Sequence, residues 1–168
     1  GVAPTVTGLA SVDPSRLTTV ADAVGATMDL WADRWGLPAH RSIPFSPVVD
    51  GDVLPVDPWQ AVAGGAARGI ELLVGHTRDE HRLFTAITGL LGEVGEEQAT
   101  QALQLFAPSP DGPRRYRDAY PIAGSEELYE LVHGDWLFRM PSLHLAEAQA
   151  AAGGRVHAYE LTWSAPGM

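Results

Sequence analysis

Ile70-Glu71-Leu72-Leu73-Val74-Gly75-His76-Thr77-Arg78-Asp79-Glu80 is the stretch that decides how this chain is read. A short apolar run reaches Gly75, and Glu80 then opens a helical pattern. Apolar runs of this length bounded by glycine read as buried parallel strands. The strand is therefore expected over 70–75, with a helix following from about Asp79. In open α/β sheets, reactive groups gather at the carboxyl ends of such strands. Glu80 stands where a rigid scaffold can hold an acid.

A second strand lies near the end of the sequence. From Arg155 to Trp163 the side chains alternate, with His157, Tyr159, Leu161 and Trp163 on one face and Val156, Ala158, Glu160 and Thr162 on the other. Roughly eighty residues of helical pattern separate the two strands, as a parallel pair with a long crossover requires. Two parallel strands cannot cover their own faces and edges. The expected fold class is α/β, with these strands and several helices belonging to a larger sheet.

The intervening segments read as helices. Asp13-Pro14 supplies an N-cap followed by a proline at the first helical position. Leu17, Val20, Val24, Met28, Trp31 and Trp35 then form one apolar stripe that Gly36 ends, and core packing is the expectation for both tryptophans. Asp50-Gly51 between Val48-Val49 and Val53-Leu54 is a hairpin-type turn signal. Asp57-Pro58 starts a short helix that Gly64-Gly65 stops. Leu83, Phe84, Ile87 and Leu91 fall on one side of the helix from Asp79. Further helices are expected over 96–106, from a Ser125 cap through Trp136, and from Pro141 to Gly153-Gly154, with a loop over 108–113.

Composition narrows the function classes. The chain has 168 residues, 45% of them hydrophobic, enough for a packed core. Its net charge is −10, and no basic cluster exceeds Arg114-Arg115 and Arg117. That argues against nucleic-acid partners and against anionic membranes. There is no cysteine, so disulfides, thiolate catalysis and cysteine-based metal sites are excluded. Absent cysteine fits a reducing, cytoplasmic compartment. No apolar run approaches a membrane span and no signal peptide is visible. The first residue is not Met, and the expectation is a piece of a longer protein.

Four segments in order carry a family resemblance. They are Phe45-Ser46-Pro47-Val48-Val49-Asp50-Gly51, Leu72-Leu73-Val74-Gly75-His76-Thr77-Arg78-Asp79-Glu80, Gly134-Asp135-Trp136-Leu137-Phe138-Arg139-Met140-Pro141, and Val156-His157-Ala158-Tyr159-Glu160-Leu161-Thr162-Trp163. Together they resemble the carboxylesterase type B family, the cholinesterase-like branch of the α/β-hydrolases, most strongly over 40–168. The resemblance implies that residues 1–168 are the C-terminal-side portion of one α/β-hydrolase domain. It implies that Glu80 is the acid of a Ser-His-Glu triad, accepting a hydrogen bond from the catalytic imidazole. It also implies that Leu83 and Phe84 line the substrate pocket, and that Ile43 matches an acyl-pocket position. The family usually has Gly where this chain has His81.

The other triad members are not found in these residues. No Gly-x-Ser-x-Gly elbow occurs, and the family's catalytic His lies beyond the strand matching 156–163. The expected function is thus that of a part of a serine carboxylesterase. The parent would hydrolyse small-molecule carboxylic esters without a cofactor, and this piece alone would be inactive and self-associating. The alternative is a non-catalytic cholinesterase-like binding module. A free-standing helical binding domain is a third reading, which requires that the two strands not pair.

Rival readings attach to the same residues. Thr77 and Glu80 also make a capping box, with Thr77 as the cap and Glu80 reaching back to its N–H. His76, Glu80 and His81 are close enough in sequence to suggest a metal, but the strand-to-helix turn should aim them apart, and no metal is expected. His144 and Glu147 read as a solvated pair. His133 and His157 read as hydrogen-bonded structural residues, and Asp135 as an anchor for backbone N–H groups or an arginine.

Overall fold

The computed structural model describes residues 2–41 and 45–163. They divide into two compact units, Gly1–Val48 and Val49–Met168.

The first unit is helical. Helix α1 covers Val6–Ala10 and α2 covers Pro14–Gly25. Asp13 caps α2 by accepting the Ser15 N–H at 2.9 Å. The apolar stripe does not continue as one helix. Gly25 has poor helix propensity, and the Thr27 hydroxyl bonds the carbonyls of Ala23 and Val24 at 3.2 Å each. The chain resumes as a 3₁₀ turn, Met28–Trp31, and a short helix α3, Ala32–Trp35, that ends at Gly36 with φ 63°. A second 3₁₀ turn spans Leu37–Arg41. Met28 is buried, whereas Trp31 and Trp35 remain 54% and 55% exposed. The core role expected of both tryptophans is therefore not what the described residues provide. The interruption lets them flank an open groove of about 240 Å³ instead.

The second unit holds the sheet. Asp50 closes a turn by accepting the N–H groups of Asp52 and Leu54 at 3.0 and 2.9 Å, with Gly51 at φ 80°. No strand flanks this turn, so the hairpin reading fails. The carboxylate takes backbone donors that a ladder would have used. Helix α4, Pro58–Ala63, is capped by Asp57 and followed by Gly64, as its sequence predicts. Strand β1 runs Leu72–Thr77 and β2 Val156–Leu161, parallel, with Leu72 opposite Val156 and Thr77 opposite Leu161. That pairing overturns the free-standing helical reading.

β1 lies two residues later than its apolar run suggests. A turn holds Ile70, whose N–H bonds Ala67 O at 2.9 Å. The Gln149 amide donates to the carbonyls of Ala67 and Ile70 at 3.0 and 2.8 Å, which keeps them out of the ladder. Gly75 does not end the strand. It sits inside it because any Cβ there would collide with the carbonyl and ring of Tyr159.

Between the strands come α5 (Glu80–Ile87), α6 (Glu96–Phe106), α7 (Gly112–Ala119), α8 (Ser125–Gly134), a π-helical turn (Asp135–Arg139) and α9 (Met140–Ala151). The core joins Ala102, Leu103 and Phe106 of α6 to Leu128 and Val132 of α8. Burying side chains such as Leu103, Phe106, Leu128 and Val132 stabilises by about 1.5–3 kcal/mol each. Ser125 is not the cap of α8. Gly124 holds that position, and the Ser125 hydroxyl instead donates to Glu96 at 2.9 Å, tying α8 to α6. Helix α9 packs on the strand pair and against α4. On the strands, Leu73, Tyr159 and Leu161 are exposed.

Candidate active site

The site is built where β1 turns into α5. The Arg78 N–H still bonds Leu161 O at 3.0 Å, so the ladder reaches one residue past the strand. Asp79 then forms the N-cap of α5 without a side-chain cap bond, its carboxylate paired instead with Arg78 at 3.1 Å. Glu80 is the first helical residue, where the helix dipole favours negative charge. Its Oε2 accepts the Thr77 N–H at 2.9 Å and lies 3.4 Å from the Thr77 hydroxyl.

Half of the capping box is present. The carboxylate reaches back as such a box requires, but Thr77 is the last residue of β1 and Asp79 occupies the cap. The result is a carboxyl group fixed by one oxygen at the carboxyl end of a strand. Among the described residues the other oxygen, Oε1, accepts no hydrogen bond.

Helix α5 presents two faces. His81 and Thr85 are buried, at 4% and 1% exposure. The His81 ring stacks on His133 of α8 with centroids 4.4 Å apart and meets Tyr129 edge-on at 5.7 Å. His133 Nδ1 lies 2.8 Å from Tyr129 O. The polar-looking positions thus dock the helix. The apolar ones do not: Leu83, Phe84 and Ile87 are 64%, 40% and 70% exposed. Phe84 meets Phe138 of the π-helical turn, with centroids 6.0 Å apart. The residues named from sequence as pocket lining thus form a partly exposed apolar wall on the helix that Glu80 opens, with Phe84 also stacked on His81 at 5.7 Å between centroids. Phe138 joins it, a neighbour that sequence reasoning did not single out because it lies far along the chain. Ile43 falls outside the described residues.

The remaining candidates resolve into structural contacts. His157 Nε2 lies 3.2 Å from Glu71 Oε1. Asp135 anchors Arg139 at 2.7 Å and accepts the Tyr116 hydroxyl at 2.6 Å. Burial, then that hydrogen bond, holds the Tyr116 phenol well above its ordinary range. Ser142 donates to Gly75 O at 3.2 Å. His144 and Glu147 are exposed. His76 meets Glu160 and Arg139, while Glu80 meets Thr77 and His81 meets His133. Among the described residues no three His, Asp or Glu converge as a metal site would need. A cavity of about 480 Å³ opens near the strand ends, lined largely by charged groups such as Arg78, Arg82, Glu130 and Glu160. Neither Glu80 nor the Leu83–Phe84 wall belongs to it. Among the described residues no helix is long and apolar enough to cross a membrane.

Comparison with known proteins gives consistent relatives. The chain is 35% identical over 106 residues to para-nitrobenzyl esterase of Bacillus subtilis (strain 168), a match covering 63% of this chain and 21% of that protein. Its fold is similar to Geobacillus stearothermophilus carboxylesterase EST55. The structure at pH 6.8 superposes with a TM-score of 0.60 at 30% identity, covering 77% of this chain and 27% of that one. The structure at pH 6.2 gives 0.63 at 28% identity, covering 90% and 35%. The chain thus spans about a fifth to a third of the relatives it matches. No family model matches it.

Proposed function

We propose, from the premise that this is a type B carboxylesterase-like chain carrying part of an α/β-hydrolase fold, that it supplies the acid of a Ser-His-Glu triad acting on small carboxylic esters. Residues 1–168 are then the C-terminal-side portion of one such domain. Serine and histidine come from parts of the protein outside these residues. The single observation that supports this reading most is the placement of Glu80. It stands at the carboxyl end of β1 with Oε2 held by the Thr77 N–H and Oε1 open.

The chemistry follows from that geometry. An imidazole that donates its Nδ1–H to Oε1 is fixed in one tautomer and one orientation. Its Nε2 is then left to take the proton of a serine hydroxyl as the hydroxyl attacks an ester carbonyl. The carboxylate stabilises the imidazolium that results. The acyl-enzyme is then cleaved by water with the same imidazole as base, and no cofactor is needed. Leu83 and Phe84 supply an apolar wall for the ester, backed by Phe138. Ile43 is assigned to the acyl side on the family resemblance alone.

Ester hydrolysis by the full-length protein tests this. Glu80→Gln should lower kcat by roughly 10³–10⁴-fold with little change in folding. A loss of less than about tenfold rules out the acid role. The 168-residue chain by itself should show no triad-dependent turnover.

A second reading rests on the same hydrogen bond. A carboxylate turned back onto Thr77 also serves as a helix-start brace in a non-catalytic binding module. A full-length protein without any ester turnover, and without a Gly-x-Ser-x-Gly segment, selects that reading.

A further inference from the structure

Arg139 closes the π-helical turn, and its guanidinium meets three partners from three elements. Nη1 is 2.7 Å from Asp135 Oδ1, an ion pair within the turn. Nη2 is 3.6 Å from Glu160 Oε1 on β2. Nε donates to His76 Nε2 on β1 at 3.4 Å. Asp135 is itself held by the Tyr116 hydroxyl. The guanidinium is the fixed piece of this group, and the strand ends are what it grips.

His76 and Glu160 are register partners, and their side chains approach to 3.3 Å. His76 Nε2 cannot both accept from Arg139 and donate to Glu160. As the Nδ1–H tautomer it accepts from Arg139, and with a proton on Nε2 it donates to Glu160. In either state Arg139 retains a partner on the strand pair, through His76 or through Glu160. A planar fork with several donors suits this task better than a lysine ammonium. The π-helical turn matters here. One extra residue in a helix turns every later side chain by about 100°, so a regular helix would aim Arg139 elsewhere.

The residue after His76 is Thr77, and the Thr77 N–H is the donor that holds Glu80 Oε2. The grip on β1 therefore lies one residue from the peptide group that places the carboxylate. We propose that Arg139 is a positioning residue for Glu80. It locks the ends of β1 and β2 together and thereby fixes the Thr77 N–H and the acid bound to it. The catalytic half of this inference rests on the acid role proposed above. The mechanical half does not.

The test uses the full-length protein with Arg139→Met, Arg139→Lys and, as a control, Arg114→Met. Among the described residues Arg114 pairs with Asp111, the cap of α7, and with Asp118 within that helix. Amide hydrogen exchange is read at Thr77 against Val132, a core amide that reports general loosening, and kcat and KM are measured with one ester. In Arg139→Met, Thr77 should exchange at least about tenfold faster relative to Val132. Its kcat should fall about 10- to 100-fold with KM held within about twofold, as misplacement of a catalytic group does. Arg139→Lys should recover part of both, and Arg114→Met should change neither. If Thr77 and Val132 loosen together, or kcat survives the loss of Thr77 protection, the inference is overturned. If the unsubstituted protein turns over no ester, the proposed activity fails, and the exchange data alone decide whether Arg139 holds the Glu80 carboxylate.

Discussion

The two oxygens of Glu80 have different neighbours, and that difference carries the functional reading. Oε2 is fixed by the Thr77 N–H, while Oε1 faces no donor among the described residues. Glu80 was legible in the sequence because its position needs only a strand, a turn and a helix start. Arg139 was not, since its role depends on partners 63 residues back and on β2 beyond it. Tyr116 was equally hidden, and it makes a prediction of its own. Its neutral phenol is favoured in the folded chain, chiefly by burial and then by the bond to Asp135. A folded-state pKa above the unfolded value of 10.0 gives stability that is present below pH 10 and lost as pH rises beyond it. Thermal melts of the full-length protein from pH 8 upward should therefore decline more steeply above pH 10 than those of Tyr116→Phe. Parallel curves would show that the phenol contributes nothing.

At the scale of elements, the errors of sequence reading share a cause. Gly75 looked like a terminator, yet its value is the contact with Tyr159 across the ladder. Such a contact depends on register, which no local pattern displays. Gly75→Ala should destabilise by roughly 1–3 kcal/mol through overpacking. An unchanged denaturant midpoint would contradict the close approach. The stripe expected on one side of the helix from Asp79 was Leu83, Phe84, Ile87 and Leu91, but α5 ends at Ile87 and leaves Leu91 outside it, and His81 and Thr85 form the docking face. Periodicity identifies a face without saying what covers it. Gln149 illustrates the reverse. This fully buried amide on α9 looked unremarkable in sequence, yet it satisfies two carbonyls ahead of β1. Gln149→Leu takes the side-chain donor from both; Ala67 O keeps the Ile70 N–H, so the cost falls on Ile70 O, at about 1–3 kcal/mol if it is kept from water. Chemical denaturation should register that loss, and a variant as stable as the parent would mean that water replaces the amide.

For the whole molecule, the α/β class and the parallel pair were readable from two short segments, because parallel strands of this kind imply a crossover and a larger sheet. What lies against the exposed strand residues, and against the Leu83–Phe84 wall, could not be read from these residues. Exposed strand edges and apolar surface should make the 168-residue chain on its own associate or partly unfold. Light scattering that finds a clean monomer with a cooperative melt would contradict this.

The separation of the two strands also constrains how the protein is made. His76 pairs with Glu160, 84 residues further on. A ribosome adding about 5–20 residues per second needs several seconds to deliver the partner strand after the first has emerged. Throughout that interval β1, Thr77 and Glu80 wait on an unpaired edge while the α6–α8 helices can already collapse. Translation stalled ahead of Val156 should therefore yield nascent chains whose helical core resists protease while the segment around Gly75 is cut.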